Sequence, residues 1–308
     1  MGKIAYVFPG QGSQYVGMGK DFCDVYRISA DIFYEADGVL REDLSKIIFN
    51  GPEESLNRTI RTQPALLTTS YAIYKAMKEY GFPEPDYTAG HSLGEYTAIL
   101  VAGGIDFRET LRLTKLRAEY MQEAVPEGEG SMCAVLKVNS EVVEDVCERI
   151  KEGVVEPANY NSPVQTVISG HRKAVEKASS ILKEKGARII PLKVSVPSHC
   201  SLMKSAADMF KIKLAQTPIR NTKIPVVQNF TAREHTFAHE IRENLYKQIY
   251  SPVRWYQSVE YMVSKGVDTF IEIGPKNVLT KLIQQTVKGV RTFNIEKIED
   301  MEKVFKEL

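Results

Sequence analysis

The chain has 308 residues, with 40 Lys or Arg against 39 Asp or Glu and a net charge of +1. That balance excludes the broad basic surface of a nucleic-acid-binding protein, and no run approaches the ~20 apolar residues of a membrane-spanning helix. Cys23, Cys133, Cys147 and Cys200 lack C-x-x-C spacing, so they read as free thiols of a reducing, cytoplasmic compartment.

Residues 4–8 form a continuous apolar run stopped by Pro9-Gly10, the mark of a buried parallel strand. It starts close to Met1, behind too short and too polar a flank for a signal peptide. The loop Gly10-Gln11-Gly12-Ser13-Gln14 is not a dinucleotide fingerprint, because Tyr15 stands where a third glycine is needed. Gln63-Pro64 is expected to start a helix, with Pro64 at the first helical position. The short run 87–89 is the next strand, and Asp106 with Glu109 reads as a capping box opening another helix. The pattern changes near Pro126-Glu127-Gly128. Strands are expected at 131–138, 164–169 and 188–196, helices at 141–151 and 172–185, with a further short strand near Val154. This alternation suggests a small ferredoxin-like α+β unit inserted in a larger α/β domain. Buried strands return at 226–229 and 269–275, followed by a helix at 277–285.

Gly90-His91-Ser92-Leu93-Gly94 is the stretch with most chemical content. It is a G-x-S-x-G pentapeptide between a strand and the helix-like run 95–100. A sharp turn there lifts a serine above the end of the sheet, and the Leu93 N–H then faces any oxyanion formed on an attacked carbonyl. The alternative is a glycine-rich turn whose serine caps a helix.

A serine nucleophile needs a base, and there are five histidines. His91 is adjacent to Ser92 and points elsewhere, and His171 opens a surface helix. His235 and His239 lie in a charged, loop-like stretch. His199 sits where a strand returns to the large domain, a seam of the kind where clefts form. It is either the base or a hydrogen-bonded core histidine. Cys200 beside it is a rival nucleophile or inert packing. Arg117 falls within the apolar arc of the helix expected over 106–125. A guanidinium there must find an anion or several acceptors. It either closes an internal salt bridge or grips a substrate carboxylate.

Together these residues resemble the malonyl-CoA:acyl carrier protein transacylases of fatty acid synthesis, and more widely the acyltransferase domains of polyketide synthases. The resemblance runs through Phe8-Pro9-Gly10-Gln11-Gly12-Ser13-Gln14, Thr62-Gln63-Pro64-Ala65, the Ser92 pentapeptide and Arg117. It continues in Ala158-Asn159-Tyr160-Asn161-Ser162-Pro163, Pro197-Ser198-His199, Tyr250-Ser251-Pro252-Val253 and Glu272-Ile273-Gly274-Pro275. It implies a large α/β-hydrolase-like domain, residues 1–126 and 198–308, with a small ferredoxin-like subdomain at 127–197. It further implies that Ser92 is the nucleophile, His199 its base, and Gln248 the group orienting the histidine. The Gln11 and Leu93 amides would form the oxyanion hole, and Arg117 would hold the malonyl carboxylate. Ser198 stands where modular polyketide acyltransferases often carry a bulky aromatic. Stand-alone transacylases share the Pro-Ser-His pattern.

The implied reaction is ping-pong, from malonyl-CoA through a malonyl-serine ester to the phosphopantetheine thiol of acyl carrier protein, with no metal or redox cofactor. The alternatives are a discrete polyketide acyltransferase acting in trans, a serine thioesterase or esterase, and a non-catalytic scaffold that docks carrier protein.

Overall fold

The computed structural model describes residues 2–192, 194 and 196–308. Strand β1 (Lys3–Phe8) alternates within an unbroken apolar run: Tyr6 and Phe8 join one buried cluster, Ala5 and Val7 another. A strand buried on both faces needs helices on both sides, the arrangement of a parallel sheet. The large sheet has the order β10-β9-β1-β2-β7-β8. It comprises β1, β2 (Tyr87–Gly90), β7 (Val226–Gln228), β8 (Arg233–His235), β9 (Val267–Ile273) and β10 (Arg291–Ile295). Every neighbouring pair is parallel except the antiparallel edge pair β7 and β8. The carboxyl ends of β1, β2 and β7 therefore open on one edge of the sheet, where ligands bind in open α/β folds.

A second, antiparallel sheet has the order β4-β5-β3-β6. Its strands are β3 (Gly130–Leu136), β4 (Val155–Ser162), β5 (Gln165–His171) and β6 (Arg188–Pro191). The helices Ser140–Arg149 and Arg172–Glu184 cover one face through Val135, Ile168, Val143, Val175 and Leu182. Met132, Ala134, Ala158 and Val167 form a separate apolar cluster with Leu192 and Val194. A main-chain seam joins β4 to the segment before the helix Trp255–Ser264, whose Val253 packs with residues of the large sheet: Tyr160 N donates to the Val253 carbonyl at 2.8 Å, and Val253 N to the Ala158 carbonyl at 2.9 Å.

Several expectations are corrected. The helix carrying Pro64 begins at Thr59 and runs to Tyr80, so Pro64 lies inside it. Arg58, at the helix start, makes no side-chain cap, so the true beginning carries no sequence signal of the kind a Ser or Asp would give. The capping box at Asp106 is half formed: its carboxylate accepts from Glu109 N at 2.9 Å, while the Glu109 side chain pairs with Arg112. β6 ends at Pro191, where an imide nitrogen cannot extend the ladder, and Lys193 and Ser195 of the expected strand lie outside the described residues. His235 closes a short strand and His239 lies in the helix Ala238–Gln248, not in a loop. Among the described residues no helix is long and apolar enough to cross a membrane.

Candidate active site

Ser92 sits just past the end of β2 with φ 53°, a left-handed conformation that costs a non-glycine residue energy and marks a strained turn. The turn is packed tightly on its neighbours. A Cβ at Gly94 would lie 2.0 Å from the Phe8 carbonyl oxygen, and one at Gly10 would lie 2.5 Å from that of His91. Glycine at both positions lets the loop after β1 touch the turn after β2. Gln11 and Leu93 thereby line one cleft, together with Ser92, His199 and Arg117. The main-chain N–H groups of Gln11 and Leu93 donate to no other group among the described residues, while the Gln11 side chain donates Nε2 to Thr59 Oγ1 at 3.2 Å. Met132 and Asn159 of the small sheet and Leu192, Val194 and Ser198 of the return segment form the facing wall.

His199, also left-handed at φ 62°, places Nε2 2.7 Å from Ser92 Oγ. Its Nδ1 lies 2.8 Å from the main-chain carbonyl of Gln248. A carbonyl only accepts, so Nδ1 carries the proton and Nε2 is free to take the serine proton. His199 is 3% exposed. Burial first, then the positive charge of Arg117, pulls its pKa from the ordinary 6.5 to about 3. The imidazole is therefore held neutral. Gln248 is the last residue of the helix Ala238–Gln248, and its carbonyl is among those a helix leaves without an intrahelical donor. The negative end of the helix dipole faces the imidazole and favours the charge it gains on taking a proton. Gln248 thus meets His199 through its main-chain carbonyl rather than its side chain. The side chain bridges elsewhere. Its Nε2 donates to the Ser92 carbonyl at 2.9 Å and its Oε1 accepts from Arg117 Nη2 at 3.0 Å.

Arg117 is 1% exposed. Its Nη1 donates to Gln63 Oε1 at 2.7 Å, and Nη2 also reaches Ser92 Oγ at 3.1 Å. The guanidinium lies over the Tyr96 ring at 5.3 Å. Among the described residues no carboxylate forms an ion pair with it. Its direct hydrogen bonds go to neutral acceptors, with the buried Glu95 carboxylate acting on it only at longer range, and a buried cation so placed is suited to receive an anion. The internal salt bridge considered for this arginine is not formed among the described residues.

Among the described residues the other candidates make no hydrogen bond to Ser92 Oγ, although His91 lines the same cleft. His91 turns away from Ser92, and its Nε2 meets Asn161 Oδ1 at 2.8 Å. His171 Nδ1 accepts from Val154 N at 2.9 Å, on the small sheet. Cys200 is fully buried, with its thiol donating to the Pro197 carbonyl and burial pushing its pKa up to about 11. Such a thiol does not supply a thiolate. Sequence reasoning missed Asn229 and Glu95, which hold the Ser92 turn from behind. Their signals were slight: Glu95 directly follows the pentapeptide, and Asn229 ends an expected strand.

The model of the family described as "Acyl transferase domain" matches residues 5–304. The malonyl CoA-acyl carrier protein transacylase of Escherichia coli K12 is 47% identical over 289 residues, covering 93% of this chain and 94% of that protein. The crystal structure of an acyl carrier protein S-malonyltransferase from Vibrio cholerae superposes with TM-score 0.96 at 44% identity, over 98% of this chain and 99% of that one. A malonyl-transacylase solved in complex with its type II polyketide synthase acyl-carrier protein gives TM-score 0.97 at 42% identity, over 99% of this chain and 100% of that one.

Proposed function

The chain belongs to the acyl transferase domain family, and from that premise we infer that it moves a malonyl group from malonyl-CoA to acyl carrier protein. It is an acyltransferase and serves fatty acid synthesis. Ser92 is the nucleophile of this reading. His199 Nε2 takes its proton as Oγ attacks the thioester carbonyl, and the amides of Gln11 and Leu93 receive the developing oxyanion. Collapse expels CoA as its thiol, protonated by His199, and leaves a malonyl-serine ester. The phosphopantetheine thiol then attacks that ester, His199 takes the thiol proton, and Ser92 regains its hydrogen. The strands β3–β6 and their two helices, in the order 4-1-3-2 of a β-α-β-β-α-β unit, support reading residues 127–197 as a ferredoxin-like insertion in a hydrolase-like domain. Four free cysteines support a cytoplasmic setting.

The observation that carries the choice of acyl group is Arg117, a buried guanidinium within 3.1 Å of Ser92 Oγ that makes no ion pair with a carboxylate among the described residues. A general esterase pocket gains nothing from a fixed cation. Arg117→Ala should lower kcat/KM for malonyl-CoA by about 10²-fold, from ~3 kcal/mol of lost charge-assisted pairing. Acetyl transfer should fall little, and Arg117→Lys should rescue malonyl only in part, because an ammonium lacks the planar fork. Measuring both thioesters beside a melting curve checks this; equal losses for the two acyl groups would defeat the carboxylate grip. Mass of the Ser92 peptide after exposure to mixed malonyl-, methylmalonyl- and acetyl-CoA identifies the acyl group carried.

A further inference from the structure

Asn229 lies 137 residues from Ser92 in sequence, yet its side chain spans the Ser92 turn. Oδ1 accepts from Ser92 N at 2.7 Å, and Nδ2 donates to the Gly90 carbonyl at 2.7 Å. The two bonds fix the turn on both sides of His91, at the point where the chain enters the left-handed region. Asn229 is itself held. Its main-chain N–H donates to Glu95 Oε2 at 2.7 Å, and its carbonyl accepts from Arg254 N at 3.1 Å. Glu95 is held in turn by Gln228 Nε2 at 2.9 Å, and Gln228 Oε1 by Asn244 Nδ2 at 2.9 Å. Asn229, Glu95 and Gln228 are all fully buried. Asn229 does not line the cleft.

We propose that Asn229 is a positioning residue for acyl transfer: its carboxamide straps the Ser92 turn, keeping Oγ on His199 and the Leu93 amide on the oxyanion. This rests on the reading of Ser92 as the nucleophile. The physical argument is that a turn with a left-handed serine relaxes unless its surroundings over-determine it. The strap occupies the Ser92 N–H and leaves the Leu93 N–H to the cleft. An ångström of relaxation at a reacting atom is worth about 10²-fold in rate. The serine, histidine and arginine side chains would all remain present.

The test is single-turnover malonylation followed by intact mass, which separates amplitude from rate constant. Asn229→Ala should acylate to full amplitude with a rate constant lowered about 10²-fold, and KM for malonyl-CoA should change little. Asn229→Asp keeps the acceptor for Ser92 N but loses the donor to Gly90. It should fall between wild type and Asn229→Ala, and it serves alone if the alanine variant does not fold. A merely structural asparagine would lower the amplitude in step with the folded fraction and leave the rate constant of folded molecules at the wild-type value. That result, in either variant, overturns the proposal. If wild-type protein itself acquires no malonyl group on Ser92, the transacylase reading fails first, and the strap with it. A wild-type adduct beside an unaltered Asn229→Ala rate constant removes the strap alone.

Discussion

His199 works as a base because it is kept from being a cation. Burial and the nearby guanidinium of Arg117 place its pKa near 3, far below an ordinary imidazole. The folded protein therefore resists a proton that the unfolded chain accepts near pH 6.5. This residue's contribution to stability is complete above that pH and is lost as pH falls toward 3. The kinetic consequence has the same sign. The rate constant for malonylation of Ser92 should stay level from about pH 8 down to about pH 5, without the half-loss near 6.5 that an ordinary histidine would give. Stopped acylation reactions across that range, in protein still folded by circular dichroism, check this; a midpoint near 6.5 would mean the base is solvated or is another group.

The turn between β2 and the following helix depends on how closely backbone approaches backbone. Gly94→Ala would place a Cβ 2.0 Å from the Phe8 carbonyl oxygen and 3.0 Å from that of Pro9. Main chain cannot swing aside as a flexible side chain can. The substitution should cost more than ~3 kcal/mol, the range of severe core overpacking, and urea unfolding measures it; a loss under ~1 kcal/mol would show that β1 and the helix can separate. This turn and β1 were legible in the sequence because a continuous apolar run and glycines at fixed places leave few alternatives. β4 was barely legible. Val-Glu-Pro-Ala-Asn-Tyr-Asn-Ser lacks a clean alternation because its polar residues face the seam: Asn159 lines the cleft and Asn161 meets His91. Gln248 and Asn229 reach Ser92 from 156 and 137 residues away. No local pattern records such a meeting. Arg117 could be singled out because a guanidinium is out of place in an apolar arc, and His199 because it alone of the five histidines stood where a strand returns to the large domain.

Across the whole molecule, the small sheet is tied by main chain to the segment that packs Val253 against the large sheet. Val253 gives and receives a hydrogen bond across the seam with Ala158 and Tyr160. Trp255, the single tryptophan, is fully buried two residues further on, with its ring 5.9 Å from that of His91. It reports on the seam directly. Two sheets so joined should melt together, with the midpoint by tryptophan fluorescence agreeing with that by far-ultraviolet circular dichroism within about 2 °C. A fluorescence change well ahead of the loss of secondary structure would show that the small sheet opens on its own and that the cleft has no fixed width.

The carbonyl that orients His199 is a group every amino acid possesses. Substitution at position 248 can disturb the arginine's surroundings and the Ser92 carbonyl, but it leaves the histidine's tautomer to the course of the backbone. The orientation of the base is therefore inherited as shape, while the anion-handling half of the site is inherited as residue identity. Relatives that drift at 248 would be expected to diverge first in which acyl group they accept, and only later in whether they acylate at all.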